Sequence, residues 1–301
     1  MLNSNTVDGR HRTIIYTAGG GRLGNQLLNY ANLLAFSLEH PEFDIVNLAF
    51  SPYLTEYDNN SLACSMASST ELKSPWNELV RLKQLELPES KFLPFNQLNW
   101  LRSEILHRVA NYRSDAQSII GGPTHTSRPL TGDRYDYFDL TAQENITRLR
   151  SRSISVVAGW NVRAWSPVDK HREDVRSLLQ PGGRHQTVAS QFVKPLREKF
   201  DILIGSLVRQ GDYQSWADGR YFFESEEYRE LLLKFTSEFP NDKVGILLAS
   251  NEPQSESVFA DDRFVFTTGI AGGDGHYVES FTELSLCDVV VTPPSTFSVF
   301  A

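Results

Sequence analysis

The sequence predicts an α/β protein that contains two doubly wound, Rossmann-like domains. Its 301 residues exceed the roughly 100 to 200 residues of a common single domain, so we expect two domains. Near the N-terminus an apolar strand, a glycine loop and a periodic helix follow one another, which is typical of a βαβ unit. From Phe200 onward strands alternate with helices, which indicates a second parallel sheet covered by helices.

The first βαβ unit is predicted from three periodic segments. Arg12–Thr17 is an apolar strand, Gln26–Glu39 a helix and Asp44–Phe50 a second strand. The following hundred residues show a looser pattern, with a helix predicted over Gln97–Tyr112 and a loop over Gly121–Gly132. No sheet is predicted in that middle stretch.

The second half of the chain has a more regular pattern. Its predicted strands are Ile154–Trp160, Phe200–Val208, Val244–Ser250, Arg263–Thr267 and Asp288–Thr292, and its predicted helices are Val188–Lys199, Ser225–Glu238 and Val278–Leu286. We place the domain boundary near residue 185, after the Pro-Gly-Gly turn at Pro181. The predicted domains are therefore 1–185 and 186–301.

Charge and composition argue against several functional classes. The chain has 29 basic and 37 acidic residues, a net charge of -8 and no basic run, which argues against nonspecific binding to nucleic acids or anionic membranes. No apolar run approaches the roughly 18 residues of a spanning helix, so we expect a cytoplasmic protein without a membrane span. Cys64 and Cys287 lie far apart and the seven histidines form no H-x-x-x-H pair, so no metal is expected.

The glycine loop has a spacing that is known from dinucleotide-binding proteins. Gly19, Gly21 and Gly24 fit G-x-G-x-x-G at a predicted strand-to-helix turn. That motif requires an acidic residue at the end of the second strand, to hold a ribose. Asp44 is at the right distance in sequence but at the beginning of its strand, which disfavours NAD.

The same loop also departs from an ATP-binding Walker motif. Asn25 and Gln26 stand where that motif has its lysine and its serine or threonine, so ATP hydrolysis is not supported. What remains is a turn at which the backbone can approach a ligand, followed by a helix whose polar face continues through Asn29 and Asn32. An ordinary amphipathic helix explains this pattern equally well, with the opposite face, Leu27, Ala31, Leu34 and Leu38, packed on the sheet.

A second candidate site follows the strand Phe200–Val208. In an open α/β sheet, ligands bind beyond the carboxyl ends of the strands, and Arg209 lies just past this end. Its planar guanidinium could grip a diphosphate and stays protonated. The alternative is a surface arginine paired with Asp212.

A third candidate site lies at the last predicted helix. Ser295, Thr296 and Ser298 follow a strand and a Pro-Pro pair, so their hydroxyls and the first backbone N–H groups of the helix could bind phosphate. Simple capping of the helix is the alternative. The loop Gly272–His276 between these sites is expected to be a turn.

Taken together, the segments GGGRLGNQLLNYA, LVRQGDY and LSLCDVVVTPPSTFSVFA resemble the GDP-fucose-dependent fucosyltransferases, most closely the α-1,2 type. The resemblance implies a GT-B architecture, in which two Rossmann-like domains face a cleft, the N-terminal one on the acceptor side and the C-terminal one holding the sugar nucleotide. It also implies catalysis without a required metal or other cofactor.

The resemblance assigns a role to each motif. Arg209 would clamp the diphosphate of GDP-fucose, with Asp212 fixing its loop. Ser295, Thr296 and Ser298 would line the same phosphates. From the N-terminal side, Gly21, Gly24 and Asn25 would approach the sugar and the diphosphate.

The chain departs from the family pattern at two positions of the second motif. The family has a histidine where this chain has Leu207, and a second arginine where it has Gln210. The chain also ends at Ala301, on the first turn of the last predicted helix. Because one helical turn would leave a face of the sheet uncovered, we expect this helix to be truncated.

Three hypotheses for function follow. The first is an inverting, metal-independent transfer of fucose from GDP-fucose to a glycan hydroxyl, with Asp218, or Asp274 together with His276, as the candidate general base. The second is a non-catalytic protein that binds a sugar nucleotide or a glycan. The third is an NAD-dependent oxidoreductase, which rests on the glycine motif alone.

Overall fold

The computed structural model describes residues 12–18, 21–47, 49–50, 53, 56–57, 119–121, 138–151, 154–158, 161–269 and 274–301. The chain forms two compact units, Met1–Gln180 and Pro181–Ala301, here called unit 1 and unit 2. Residue 185, near which the boundary was predicted, lies inside a helix of unit 2. The predicted helix Gln97–Tyr112 lies outside the described residues. The assignment of acceptor and sugar nucleotide to the two halves stays a prediction.

The described part of unit 1 contains two parallel sheets and several helices. Its strands are β1 (Arg12–Ala18), β2 (Phe43–Asn47), β3 (Ile119–Gly121), β4 (Phe138–Asp139), β5 (Ile154–Ala158) and β6 (Val162–Arg163). Its helices are α1 (Leu23–Glu39), α2 (Gln143–Arg150), α3 (Trp165–Lys170) and α4 (Arg172–Leu178). The larger sheet has the order β2-β1-β5-β3, and β4 pairs with β6 in the smaller one.

The predicted βαβ start of the chain is confirmed. The apolar residues Ile14, Ile15 and Tyr16 of β1 are fully buried, and β1 pairs with β2 in parallel through the crossover helix α1. Helix α1 begins at Leu23, three residues before the predicted start at Gln26. The middle stretch does contribute strands, β3 and β4, which the sequence analysis did not predict.

The polar face predicted for α1 is buried rather than exposed. Asn29 and Asn32 have no exposed surface. Asn29 Oδ1 accepts hydrogen bonds from the backbone N–H of Val162 at 3.3 Å and from Arg163 Nη1 at 2.7 Å, and Asn32 Oδ1 accepts one from the backbone N–H of Ala164 at 2.6 Å. The two asparagines therefore join α1 to the β6 segment.

Unit 2 is built as predicted, from strands that alternate with helices. Its strands are β7 (Ile202–Val208), β8 (Val244–Ser250), β9 (Phe264–Phe266) and β10 (Val289–Val290). Its α-helices are α5 (Gly183–Lys199), α6 (Ser225–Phe235), α7 (Tyr277–Ser285) and α8 (Thr296–Phe300). Short 3₁₀ segments cover Gly211–Gln214, Trp216–Gly219 and Thr236–Glu238.

The sheet of unit 2 is parallel and covered on both faces. Its strand order is β10-β7-β8-β9, and every described pair in it is parallel. Along β7, Ile204 and Val208 pack with α6, whereas Leu203 packs with α5. This alternation is the pattern of a doubly wound sheet, in which side chains of one strand point to the two faces in turn.

Candidate functional site

The first feature of the candidate site is the loop that follows β7. Arg209 begins this loop at the carboxyl edge of the sheet, and its Nη2 atom lies 2.9 Å from Asp212 Oδ2. Its guanidinium also lies over the ring of Tyr213, 4.9 Å from the ring centre. The ion pair proposed as the ordinary role of Arg209 is therefore present. It leaves the guanidinium, which has five N–H donors, at the edge of the sheet where ligands bind in this class of fold.

The backbone of Arg209 is held by a tyrosine from α6. The N–H of Arg209 donates to Tyr228 Oη at 3.1 Å, and the same hydroxyl lies 3.4 Å from the Arg209 carbonyl oxygen. Tyr228 is buried, and this burial raises the pKa of its phenol, so the hydroxyl stays protonated at neutral pH. The arginine is thus fixed at its backbone by one aromatic side chain and packed against another.

Gln210, the neutral residue at the position of the family's second arginine, is held by two amide side chains. Asn251 forms two bonds with its backbone, accepting from the Gln210 N–H at 2.8 Å and donating to the Gln210 carbonyl at 3.1 Å. Gln254 Nε2 donates to Gln210 Oε1 at 2.9 Å, and Gln210 Nε2 donates to the carbonyl of Phe223 at 3.1 Å. We call Gln210, Asn251 and Gln254 the amide clasp.

The next residue, Gly211, is required by the shape of this loop. Its φ angle is +63°, in the left-handed region that favours glycine. A Cβ atom at this position would lie 2.5 Å from Glu252 Oε1, in the segment that carries the clasp residues. The positive φ angle explains why Arg209-Gln210 is followed by glycine, whereas the end of the Glu252 side chain could move aside.

The serine and threonine residues of the third motif lie at the start of α8. Ser295 occupies the N-cap position in an extended conformation, and its side chain makes no capping hydrogen bond. Thr296 is the first residue of the helix, and Ser298 Oγ donates to the Ser295 carbonyl at 3.0 Å. The backbone N–H groups of this first helical turn are those that can meet an anion.

Tyr213 connects the arginine loop with the start of α8. Its hydroxyl donates to the carbonyl of Pro294, the residue before Ser295. Burial raises the pKa of Tyr213, and interactions with Arg209 and a hydrogen bond with Ser295 act in the opposite direction. Two of the three predicted motifs therefore meet at one edge of the sheet in unit 2.

Of the candidate general bases, the two aspartates are exposed, whereas the histidine is held by contacts within unit 2. Asp218 is exposed in a turn with a φ angle of 57°, directly after Ala217, whose φ angle is 52°. Asp274 is also exposed. His276 caps α7, where its Nδ1 accepts from the Val278 N–H at 3.3 Å, and its ring stacks on that of His185 at 5.0 Å. The role of each as a base stays a prediction.

The glycine loop of unit 1 is described from Gly21 onward, and Gly19 lies outside the described residues. Gly21 is exposed with a φ angle of +77°, and a Cβ atom there would lie 1.9 Å from Asn25 Nδ2. Gly24 is buried at the second position of α1. The loop therefore needs glycine at position 21 for its turn and for the close packing of Asn25. These contacts do not identify the ligand.

The end of β2 differs from what a dinucleotide site requires. The last residue of β2 is Asn47, which is buried, and its Oδ1 accepts from the backbone N–H of Phe50 at 3.0 Å. Asp44 lies near the beginning of the strand, as predicted. The described end of β2 thus presents a buried amide instead of the acid that holds a ribose.

A buried arginine of unit 1 was missed by the sequence analysis. Arg163 is 8% exposed, and its Nη2 donates to Asn161 Oδ1 at 3.0 Å. Burial lowers the pKa of its guanidinium to about 10. The sequence analysis ended the preceding strand at Trp160 and gave Arg163 no role, because an arginine is mostly exposed unless it is paired.

Comparison with solved structures identifies the fold. POFUT1 in complex with GDP matches with a TM-score of 0.51 and 12% identity over 96% of this chain and 93% of that chain. POFUT1 in complex with GDP-fucose matches with a TM-score of 0.52 and 12% identity over 96% of this chain and 92% of that chain. The chain has the same GT-B-like fold. No protein-family model and no curated protein sequence matches it. No described helix is long and apolar enough to cross a membrane.

Proposed function

We propose that this protein is a GDP-fucose-dependent fucosyltransferase that acts on a glycan hydroxyl, most closely of the α-1,2 type. The observation that carries the proposal is the position of Arg209. It lies at the carboxyl edge of the unit 2 sheet and is connected through Tyr213 to the start of α8. Support also comes from the fold, which is that of POFUT1, a fucosyltransferase solved with GDP-fucose.

The proposed chemistry places negative charge on the leaving group. Breaking the bond between fucose and phosphate leaves GDP with an additional negative charge, while the sugar becomes oxocarbenium-like. A fixed guanidinium stabilises the charged transition state more than the ground state, and this difference accelerates the reaction. In this mechanism Arg209 supplies the positive charge that a metal ion supplies in other transferases. The acceptor hydroxyl attacks from the opposite face, with inversion at the anomeric carbon, as Asp218 or Asp274 takes its proton.

A non-catalytic sugar-nucleotide-binding protein is the second candidate. The observation that favours it is the pairing of Arg209 with Asp212, together with the neutral Gln210. Because Asp212 competes with a diphosphate for the same guanidinium, the arginine could bind GDP without contributing much to catalysis. The two candidates differ in whether fucose is released or transferred.

Calorimetric titration of the purified chain with GDP, GDP-fucose and NADH tests the ligand class. We expect GDP to bind in the presence of EDTA, with little change on adding magnesium, and Arg209→Ala to weaken binding by roughly tenfold or more because a charge-assisted pair is lost. The matched control is Arg263→Ala, which removes another arginine paired with an aspartate in unit 2, the pair with Asp261 at 2.7 Å. Binding of NADH but not of GDP contradicts the proposal and favours an oxidoreductase.

Release of fucose from GDP-fucose, with and without an acceptor, then separates the two candidates. We expect Arg209→Ala to lower turnover by a factor on the order of 100 or more, since a main contact to the developing charge is lost. Arg209→Lys should recover only part of this, because an ammonium lacks the planar pair of donors. Turnover near wild type in Arg209→Ala would exclude the catalytic role, and GDP binding without any fucose release would support the second candidate.

A further inference from the structure

Three aromatic side chains form a continuous row that begins at Arg209. The ring centres of Tyr213 and Trp216 are 4.9 Å apart, and those of Trp216 and Tyr221 are 5.2 Å apart. Neighbouring rings are inclined by 34° and 32°, so each partly faces the next. We call these three residues the aromatic row. Its inner end carries the guanidinium of Arg209, and its middle ring, Trp216, is 38% exposed.

The turn between Trp216 and Tyr221 has an unusual backbone. Ala217, Asp218 and Gly219 all have positive φ angles, of 52°, 57° and 72°. An alanine in this conformation is disfavoured because its Cβ approaches the backbone, so the surrounding contacts must impose it. The turn folds the chain back and brings Tyr221 against Trp216. It also leaves Asp218 exposed.

The outer end of the aromatic row lies at a cavity in unit 2. The cavity has a volume of about 580 Å³, and its lining includes Tyr221, Phe223 and Tyr228 together with Val291 and Pro293. This volume lies within the range of roughly 300 to 1,000 Å³ that is typical of small-molecule sites. Tyr228 is also the residue that holds the backbone of Arg209. The cavity and the candidate site therefore share a wall.

A buried hydroxyl, that of Ser206, belongs to the lining of the cavity. On the face of β7 that points toward α6, Ser206 stands between Ile204 and Val208, both of which belong to the apolar core. Ser206 has no exposed surface, and its Oγ atom has no hydrogen-bond partner among the described residues. A buried hydroxyl without a partner is unfavourable at a core position that an apolar residue could fill. Ser206 is therefore suited to a ligand that brings its own hydroxyl groups.

The polar groups around the cavity favour a neutral, hydroxyl-rich ligand. Glu227 and Glu230 contribute carboxylates to its lining, and Lys234 contributes an ammonium group. Carboxylates accept hydrogen bonds from hydroxyl groups, and the ammonium group donates hydrogen bonds to them. The face of an aromatic ring carries partial negative charge and attracts the weakly positive C–H groups of a sugar ring. Flat apolar faces combined with hydroxyl groups are the chemistry of a sugar.

We propose that the aromatic row and the cavity form a binding subsite for sugar rings of the acceptor. One sugar ring packs against the exposed part of Trp216, and a neighbouring ring or aglycone enters the cavity toward Ser206. This assignment rests on the proposed function, because the row starts at the arginine assigned to the donor diphosphate. Ser206 precedes Arg209 by three residues, about 10 Å along a strand, so the subsite lies within reach of the transferred sugar. The resemblance assigned acceptor binding to the N-terminal half of the chain. The proposed subsite adds residues of unit 2 to those that bind the acceptor.

Titration of phenyl β-glycosides into the full chain, followed by ligand-observed NMR with GDP present, tests the subsite. The probes are the phenyl glycosides of galactose, glucose and N-acetylglucosamine, and GDP affinity is measured on the same samples. We expect Trp216→Ala to weaken binding of the preferred glycoside by roughly tenfold, as loss of one aromatic stack does, and to leave GDP affinity within about twofold. Trp216→Phe keeps a ring at this position and should retain most of the binding.

Two further variants make the result specific. Val188→Ala shortens another apolar side chain that is 38% exposed, on α5 of unit 2 and outside the cavity lining, and it should leave glycoside binding unchanged. Ser206→Val replaces the hydroxyl by a methyl group in a β-branched side chain that suits a strand. It should lower glycoside affinity without changing GDP affinity. If Trp216→Ala disturbs the Arg209 loop and lowers the affinities for both the glycoside and GDP, Ser206→Val is the variant that tests the subsite.

The outcomes for the subsite and for the proposed function can be told apart. A wild-type chain that binds GDP but none of the glycosides overturns the subsite and leaves the fucosyltransferase proposal standing. Glycoside binding that responds equally to Val188→Ala and Trp216→Ala also overturns it, because the contact is then nonspecific. Glycoside binding that depends on Trp216 and Ser206 supports the subsite, even where a failure to bind GDP contradicts the proposed function.

Discussion

At the scale of single residues, the loop that carries Arg209 is held by neutral amide side chains. Arg209 is followed by Gln210, and the amide clasp fixes both the backbone and the side chain of that glutamine. Because Gln210 Nε2 and Oε1 are both engaged, the side chain at this position is directed to the protein and not to a ligand. We infer that Gln210 positions Arg209. It does not supply the positive charge that the fucosyltransferases have at this position in the form of a second arginine.

The variant Gln210→Leu tests this positioning role. It removes the bonds to Gln254 and to the Phe223 carbonyl, so we expect GDP affinity to fall by about fivefold, equivalent to one ordinary hydrogen bond. Calorimetry measures the affinity, and circular dichroism checks that the fold is retained. Gln186→Leu is the matched control, because that glutamine also donates to a backbone carbonyl, that of Pro181, away from the loop. An unchanged GDP affinity in Gln210→Leu would contradict the role.

Glu283 gives unit 2 a predictable response to pH. The residue is fully buried in α7, and its carboxylate accepts from the Thr268 N–H at 2.9 Å. Burial raises its pKa, and the negative charge of Glu279 adds to the shift. Since the folded-state pKa lies above the unfolded-state value, the folded protein binds this proton more tightly. The contribution of Glu283 to stability is therefore full below the unfolded pKa and is lost as pH rises through the folded pKa.

The variant Glu283→Gln removes this titration. We expect the free energy of unfolding of the variant minus that of wild type to increase from about pH 5 to about pH 8. The reason is that only the wild type must ionise a buried carboxyl over that range. Urea unfolding at the two pH values measures the difference. Glu238→Gln, at an exposed position, should show no such trend. A relative stability that falls with pH would mean that the charged form of Glu283 is the one that the fold stabilises.

At the scale of secondary-structure elements, two asparagines of α1 hold the edge of unit 1 together. Asn29 supplies the acceptor for both the Val162 N–H and the buried guanidinium of Arg163. Helix α1 is thus fixed to β6 by polar contacts between residues more than a hundred positions apart. Such contacts are specific in direction, whereas the apolar packing of α1 on the sheet is not.

The variant Asn29→Leu should destabilise this junction. A leucine of similar size offers no acceptor, so a buried N–H and a buried cation lose a partner, and we expect a loss of about 2 kcal/mol or more in the free energy of unfolding. Denaturant unfolding of the full chain measures it. Ser37→Ala serves as the control, since its hydroxyl donates to the Leu34 carbonyl of the same helix. Equal stability of Asn29→Leu and wild type would show that the junction does not depend on this amide.

At the scale of the whole molecule, strongly periodic segments made the fold predictable. Strand β8 was predicted with its observed bounds, Val244–Ser250, because its apolar run is buried on both faces. The short helices α3 and α4 were not predicted, because Trp165–Lys170 and Arg172–Leu178 are too short and polar to show a period. Leu38 was expected to pack on the sheet and is 40% exposed.

The candidate site was predictable only where it follows an element boundary. Arg209 could be placed because it ends an evident strand at the carboxyl edge of a parallel sheet. The amide clasp could not be predicted, because Asn251 is 41 positions from Gln210 and asparagine has many roles in loops. The same holds for Asn29, whose partners Val162 and Arg163 are more than a hundred positions away. A single sequence shows which residues are polar but not which distant groups will satisfy them.

The composition of the amide clasp has a consequence for kinetic measurements on this protein. Its side chains are carboxamides, which neither gain nor lose a proton across the neutral range. The framework that places the cation is therefore insensitive to acidity across the neutral range. At pH values above those at which carboxyl groups titrate, a change of the reaction rate with pH should accordingly come from the groups that exchange protons with the substrates.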